Sequence, residues 1–363
     1  MKQQSRQFRF NAKNGQPVEG WAGTRAAARG LWVTGFGAEV DAEADAYVIR
    51  AAVEEGVKSR PVRVPALRVS RVVVQRGVAV TQAAIRLSLE AAVPLSFIDR
   101  CGKLRGHVMP GASLRGDLRM AQYRAWMDPA ARLEVARAMV GDKLAESRSL
   151  VRHLVSHRPS DEAGMALAAV EQSLTRLGRA VTVDELMGLE GAAGRAGFAA
   201  LRASLRRLDL PCRRRQPAPD PVNALLSYAY AVLARDVAAR IELAHLDPWL
   251  GFLHRPENGR ASLALDLMEP LRPAIAERLV LALINGGRLR EEHFEPIPDP
   301  VPGADAGPGV FLNPEGRRIF FEEYEQRTHP RRPDGGGEAW PFESAHVCTG
   351  VVNAFITRLG PWL

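Results

Sequence analysis

One change of texture constrains this chain more than any other feature. Between Gly30 and Val108 it is cut into short β-branched runs: Leu31-Trp32-Val33-Thr34, Tyr47-Val48-Ile49, Val62-Arg63-Val64, Val69 to Val74 and Val78-Ala79-Val80. Gly35, Gly37, Gly56, Pro61, Pro65 and Gly77 punctuate them, so they read as strands of a small β domain. Thr81 to Ala92 is the one helical insert, with Ile85 and Leu89 spaced four apart. Pro94 to Ile98 and Lys103 to Val108 then flank Asp99-Arg100-Cys101-Gly102, a hairpin turn with glycine where a positive φ is needed. After Met109-Pro110-Gly111 the strand signal stops and the pattern turns helical. The spacing predicts an α+β fold, a small N-terminal β-rich domain followed by a larger all-α C-terminal domain. Residues 1–28 are expected to form a poorly ordered lead-in, 29–111 the β domain and 112–363 the helical domain.

Within the second part, helices are expected over Leu114 to Met127, Ala130 to His157, Asp161 to Arg179, Thr182 to Leu208, Val222 to Ile241 and Ser262 to Ile284. Thr182 and Glu185 match the S/T-x-x-E capping box. The tail reads as a Pro/Gly-rich loop at 296–309, a hairpin from Val310 to Phe321, a loop at Gly335-Gly336-Gly337 and a closing helix near 343–359.

Composition excludes several classes. The three cysteines, at 101, 212 and 348, make no C-x-x-C pair, which argues against a disulfide framework or a structural zinc site and for a reducing cytoplasm. Neither a long uninterrupted apolar run nor an N-terminal apolar segment of signal-peptide type is present, so an exported or membrane-embedded protein is not expected. The net charge of +8 is less informative than its location. Residues 1–115 hold 18 basic and 9 acidic residues, whereas the rest of the chain holds 31 and 32. Inside that balanced part sits a basic knot of Arg195, Arg202, Arg206, Arg207, Arg213, Arg214 and Arg215, accompanied only by Asp209. Such a knot suits phosphates or an ordinary solvated face.

Three carboxylates and one histidine stand where structural residues are apolar or turned to water. Glu190 shares its helix face with Ala193, Gly194, Gly197 and Leu201, so it points at packed protein. Burial of a carboxylate leaves a cation, an arginine partner or protonation as its options. In residues 250–273, His254 ends an apolar stretch, Ser262 is placed to cap a helix, and Asp266 and Glu269 lie i and i+3 on that helix. Pro270 and Pro273 kink or restart it. A lone histidine there is a packing residue; with Asp266, Glu269 and Glu190 it becomes a mixed nitrogen and oxygen set suited to Mg²⁺ or Mn²⁺ and poor for structural zinc. We find no nucleophile elbow, zincin, P-loop or complete dinucleotide motif, and the aromatics form no stacking stripe.

Four ordered motifs, LMGLEGAAGRAGF (186–198), DPVNALLSYAYAVL (220–233), LDPWLGFLH (246–254) and SLALDLMEPLRP (262–273), resemble the CRISPR-associated adaptation integrases, the universal "Cas-one" endonucleases. The segments 72–108 and 118–144 are similar too, and the likeness runs from about Gly30 to about Glu325. The resemblance implies a β domain joined to a larger helical one, and a metal site built from Glu190, His254 and Glu269 with Asp266 as a further ligand or close neighbour. Asn223, Tyr228 and Tyr230 fall on the family's Asn/Tyr-bearing helix beside that pocket. Where the family commonly carries an aromatic seven residues after the glutamate, this chain has Gly197.

As the resemblance implies, the activity is a metal-dependent endonuclease and integrase of CRISPR adaptation. The 3′-hydroxyl of a new spacer fragment attacks a phosphodiester at the repeat boundary, a transesterification that needs no ATP, with Mg²⁺ or Mn²⁺ as Lewis acid. Arg202, Arg206, Arg207, Arg213, Arg214 and Arg215 then hold double-stranded DNA, both spacer fragment and repeat, by its backbone. The expected partners are a second copy of the chain, joined through the β domain, and a small ferredoxin-like adaptation protein completing a heterohexamer. Two other readings stay open: a catalytically silent DNA-binding scaffold subunit, and a Mg-dependent hydrolase acting on RNA or small phosphates.

Overall fold

The structure, a computed structural model, describes residues 29–51, 60–99, 104–109, 115–213, 218–296, 309–328 and 346–363. It divides into two compact units, Met1–Ser113 and Leu114–Leu363. The lead-in 1–28, Gly102 of the hairpin turn, Arg214, Arg215, and the loop residues 297–308 and 335–337 lie outside the described residues.

The first unit packs two four-stranded sheets. One contains β1 (Arg29–Val33), β5 (Val69–Gln75), β7 (Leu95–Ile98) and β8 (Leu104–Val108) in that spatial order. β1 and β7 run parallel to β5, and β8 runs antiparallel to β7, so the strands flanking the predicted turn do form a hairpin. The other sheet has the order β4 (Val62–Pro65), β3 (Ala46–Arg50), β2 (Glu39–Glu43), β6 (Ala79–Val80). Alternation sorts its faces: Tyr47 and Ile49 of β3, Leu31 and Val33 of β1, and Val72 and Val74 of β5 share one core with Val40, Val64 and Leu95. Helix α1 (Gln82–Glu90) closes this core with Ala84 and Leu87; its N-cap Thr81 accepts the Ala84 N–H.

The second unit contains α2 (Gly116–Met127), α3 (Pro129–His157), α4 (Asp161–Leu177), α5 (Val183–Ala203), α6 (Pro221–Leu243), α7 (Ser262–Met268), α8 (Arg278–Asn285), α9 (Pro314–Thr328) and α10 (Val347–Arg358). Local chemistry sets the starts. Asp128 caps α3 ahead of Pro129, Ser160 caps α4, and Asp220 caps α6 ahead of Pro221. At α5, Thr182 accepts the Glu185 N–H as a capping box requires, while the Glu185 carboxylate reaches one residue further back, to the Val181 N–H. Ala136, Val140 and Leu144 line α3 at four-residue spacing and pack with Val170, Leu186, Ala193 and Leu253. α6 is buried on most sides, with Leu225, Leu226, Val232, Leu233 and Val237 inaccessible to solvent.

Three expectations for this unit need correction. It is not all-α, because β9 (Phe294–Pro296) and β10 (Val310–Leu312) pair antiparallel. Val310 to Phe321 is not a hairpin: after β10 the chain enters α9 at Pro314, with Asn313 accepting the Gly316 N–H. Asn-Pro-Glu-Gly therefore works as a helix entry instead of a turn. Ser262 does not cap α7; that position is Ala261, and the Ser262 hydroxyl donates to the carbonyls of Arg255 and Arg260. Among the described residues, no helix is long and apolar enough to cross a membrane.

Candidate metal centre

The loop after α6 carries His254, and side chains of α2 and α3 strap it down. Arg119, Gln122, Tyr123 and Trp126 occupy one face of α2 at i, i+3, i+4 and i+7. Arg119 donates to the His245 carbonyl at 2.8 Å and Gln122 makes a two-way amide pair with the Asp247 backbone. Tyr123 donates to the Asp247 carboxylate at 3.1 Å, and Trp126 Nε1 to the Gly251 carbonyl at 2.9 Å. Arg132 of α3 adds a bond to the Phe252 carbonyl. The loop is irregular backbone, yet its polar groups are satisfied from two helices.

Asp266, fully buried on α7, holds the far end of that loop. Its Oδ2 accepts the N–H of Phe252 at 2.6 Å and of Leu253 at 2.9 Å; its Oδ1 accepts the N–H of His254 at 3.0 Å and faces His254 Nδ1 at 2.6 Å. A carboxylate only accepts, so a neutral imidazole keeps its proton at Nδ1 and its lone pair at Nε2. The Asp266 bond raises the His254 pKa above the ordinary imidazole value, against burial; Glu269 adds to the rise. Gly251 fits here because a Cβ would lie 2.5 Å from the His254 carbonyl oxygen and 2.7 Å from Ser262 Cβ. Gly251→Ala is expected to cost about 1–3 kcal/mol through this overpacking. Thermal melting checks it, and an unchanged midpoint contradicts the reading.

Glu269 sits where α7 ends, ahead of Pro270 and of a π-helical turn over Arg272–Glu277. That wide turn restarts the helix as α8. Glu269 is 5% exposed, and Arg272 holds both its oxygens, at 2.9 and 3.1 Å. The Arg272 guanidinium lies 4.3 Å from the Tyr230 ring centre, and the Tyr230 hydroxyl donates to Glu277 at 2.9 Å. Burial pushes the Glu269 carboxyl up, but Arg272, Lys143 and His254 together outweigh it and hold it at about 2.

Glu190, half-buried on α5, meets Glu269 through a residue that the sequence reading passed over. Lys143 of α3 donates to Glu190 Oε1 and, at 2.5 Å, to Glu269 Oε2. One ammonium thus spans two carboxylates. Burial alone would push it toward neutrality; Glu269 and Glu190 reverse that and keep it charged. A signal for it existed, since the chain has only five lysines, at 2, 13, 58, 103 and 143, and this one falls beside the apolar stripe of a helix.

The structure therefore brings Glu190, Glu269, Lys143 and Arg272 together, with the His254 charge close enough to act on Glu269. The arginine knot is divided. Arg202, Arg206 and Arg207 are exposed. Arg213 instead turns inward, donating to Asn223 at 2.8 Å and Ser227 at 3.2 Å with its guanidinium 5.7 Å from the Tyr230 ring centre. Tyr228 packs edge-on against Phe320 and Phe321.

Two carboxylates held by one cation and an imidazole with its lone pair on Nε2 are donor types suited to a divalent ion, although the ligand atoms of Glu190, His254 and Glu269 are not gathered within 4.8 Å of one another. A second grouping does not fit as well. Asp236, His346 and Cys348 lie within 4.8 Å of one another and are all buried. However, Asp236 already accepts from Tyr324 at 2.7 Å and Arg235 at 3.0 Å, while His346 Nδ1 accepts the Cys348 N–H that caps α10.

Comparison with known proteins identifies the family. The family model described as "CRISPR associated protein Cas1" matches residues 31–326. A Geobacter sulfurreducens Cas4 exonuclease/Cas1 endonuclease fusion is 32% identical over 83% of this chain, which spans 54% of the fusion. A CRISPR-associated endonuclease Cas1 of Rhodospirillum rubrum is 33% identical, over 74% of this chain and 79% of the relative. A casposase solved bound to its integration product superposes with a TM-score of 0.76 at 21% identity, over 92% of this chain and 91% of the other. The chain belongs to the Cas1 family.

Proposed function

We propose that this chain is the metal-dependent DNA endonuclease and integrase of CRISPR adaptation, with Glu190, His254 and Glu269 as the metal ligands. The observation that carries the reading is the Lys143 bridge, which shows two acids from distant helices converging on one place for positive charge. Family membership supports the substrate class.

The bound Mg²⁺ or Mn²⁺ would supply Lewis-acid stabilisation of charge on the phosphoryl oxygens. The protein residues do the rest. Asp266 fixes the orientation and tautomer of His254, which leaves the lone pair of the neutral ring on Nε2. Arg272 fixes Glu269 at the entry to the π-helical turn and holds it ionised. The reaction in this reading exchanges one phosphate ester for another: the 3′-oxygen of the incoming fragment bonds to phosphorus, the bond to the 3′-oxygen of the repeat strand breaks, and the proton lost by the incoming hydroxyl goes to that leaving oxygen. Asp266 acts in this account as a positioning residue, since all four of its contacts go to His254 and its loop.

Double-stranded DNA, a second copy of the chain joined through the β domain, and the ferredoxin-like adaptation protein of a heterohexamer are the proposed partners. Arg202, Arg206 and Arg207 offer the exposed positive charge for the DNA backbone. Changing all three to Gln is expected to flatten the slope of log K against log salt by about 2–3. An unchanged slope makes them a solvated face.

The test of the activity is strand joining of a short duplex into a supercoiled, repeat-bearing plasmid with Mn²⁺ or Mg²⁺. Wild type is expected to give product and Glu190→Ala and His254→Ala none. Equal product from all three removes the proposed site, and no joining by wild type favours the silent scaffold.

A further inference from the structure

Lys143 reaches two carboxylates that lie 47 and 126 residues away in the chain, and its side chain is only 9% exposed. Arg272 is the other cation on Glu269, but it is attached differently. It follows Glu269 by three residues, grips both its oxygens and lies against the Tyr230 ring, which Glu277 anchors in turn. The Lys143 ammonium, by contrast, ends a flexible four-carbon stem, and its partners among the described residues are Glu190 and Glu269 alone.

Lys143 stands between Glu190 and Glu269, where an ion shared by those two carboxylates would sit, so the ammonium and the ion compete for the same oxygens. Two cations brought together away from water repel strongly. Arg272 is held by the Tyr230 ring as well as by Glu269, whereas Lys143 bonds to the two carboxylates alone among the described residues, so it is the cation that an arriving ion displaces.

We propose that Lys143 is a place-holding cation: it keeps Glu190 and Glu269 facing one another before the divalent ion arrives, and the ion displaces it. Loading of the centre is then an exchange of cations, in which the carboxylates give up an ammonium to gain the metal. Lys143 prevents their mutual repulsion in the metal-free chain and lowers the affinity of the site for metal. This inference rests on the metal reading of Glu190, His254 and Glu269.

The experiment is Mn²⁺ titration without DNA, read by the electron paramagnetic resonance of free Mn²⁺, on wild type, Lys143→Met and Glu190→Gln. Lys143→Met is expected to bind Mn²⁺ on the order of tenfold tighter, because Glu190 and Glu269 then have no ammonium to surrender, Arg272 remaining on Glu269. Metal-free Lys143→Met is also expected to melt below wild type and to recover when Mn²⁺ is added. Equal or weaker Mn²⁺ binding by Lys143→Met overturns the proposal and makes the lysine a structural strut. Equal binding by wild type and Glu190→Gln overturns the metal reading itself, and this inference with it.

A measurement on wild type covers the case in which Lys143→Met does not fold. Lysine acetylation read by mass spectrometry is expected to rise at Lys143 when Mn²⁺ replaces chelator, with Lys2, Lys13, Lys58 and Lys103 as internal references. Unchanged labelling of Lys143 in Mn²⁺-loaded protein overturns the displacement.

Discussion

Glu269→Gln is expected to cut strand joining by on the order of a thousandfold and to abolish detectable Mn²⁺ binding, since a neutral amide cannot replace an anionic ligand. It is also expected to lower the melting temperature of the metal-free chain. Arg272 and Lys143 both bond to this carboxylate, and removing its charge leaves two cations facing one another in a nearly dry site. Breaking a buried ion pair in this way costs about 3–5 kcal/mol. Glu190→Gln provides the contrast. Its carboxylate is 23% exposed, and Lys143 retains Glu269 when it goes, so activity should fall as far while the melting temperature falls much less. Strand-joining yield and thermal melting on the two variants separate these effects. If Glu269→Gln joins DNA at the wild-type rate, Glu269 is not a ligand.

Asp266→Ala is expected to destabilise the chain by about 3–5 kcal/mol, because three backbone N–H groups and one imidazole N–H lose their acceptor. At roughly 2–4 °C per kcal/mol for a unit of this size, the midpoint should drop by about 10 °C. Joining should fall about tenfold to a hundredfold at a temperature where the variant is still folded, as for loss of a group that orients a ligand. The combination discriminates between roles: a ligand would abolish metal binding, whereas a positioning residue leaves weakened binding. Calorimetric Mn²⁺ titration below the midpoint reads the difference.

Parts of this account were legible in the residue pattern and parts were not, for physical reasons. Glu190, His254 and Glu269 stood out because each interrupts an apolar or small-residue stretch, and such interruptions are expensive unless something compensates them. The π-helical turn was foreshadowed by Pro270 and Pro273, which forbid a continuous ladder. The role of Asp266 was not readable. All four of its bonds go to the loop at 252–254, which no local spacing places beside α7, while Glu269 meets Lys143 and Arg272. Lys143 was marked only by the scarcity of lysines; its role was not readable, because its partners come from α5 and the end of α7 and no local spacing encodes them. Arg213 looked like a member of an exposed basic run; Asn223, Ser227 and the Tyr230 ring turn it inward. In α9, the Asn313-Pro314 pair was ambiguous in principle, since the same residues start a helix or make a turn, and packing decides: Phe320, Phe321 and Tyr324 are buried at helical spacing.

The central claim is that Glu190, His254 and Glu269 hold one divalent ion. Anomalous diffraction at the manganese edge from a Mn²⁺-loaded crystal tests it most directly. The account predicts a single strong peak at bonding distance from Glu190, His254 Nε2 and Glu269, with the Lys143 ammonium moved away from both carboxylates. A peak elsewhere, or none at these residues with Lys143 still bridging the two acids, would contradict it.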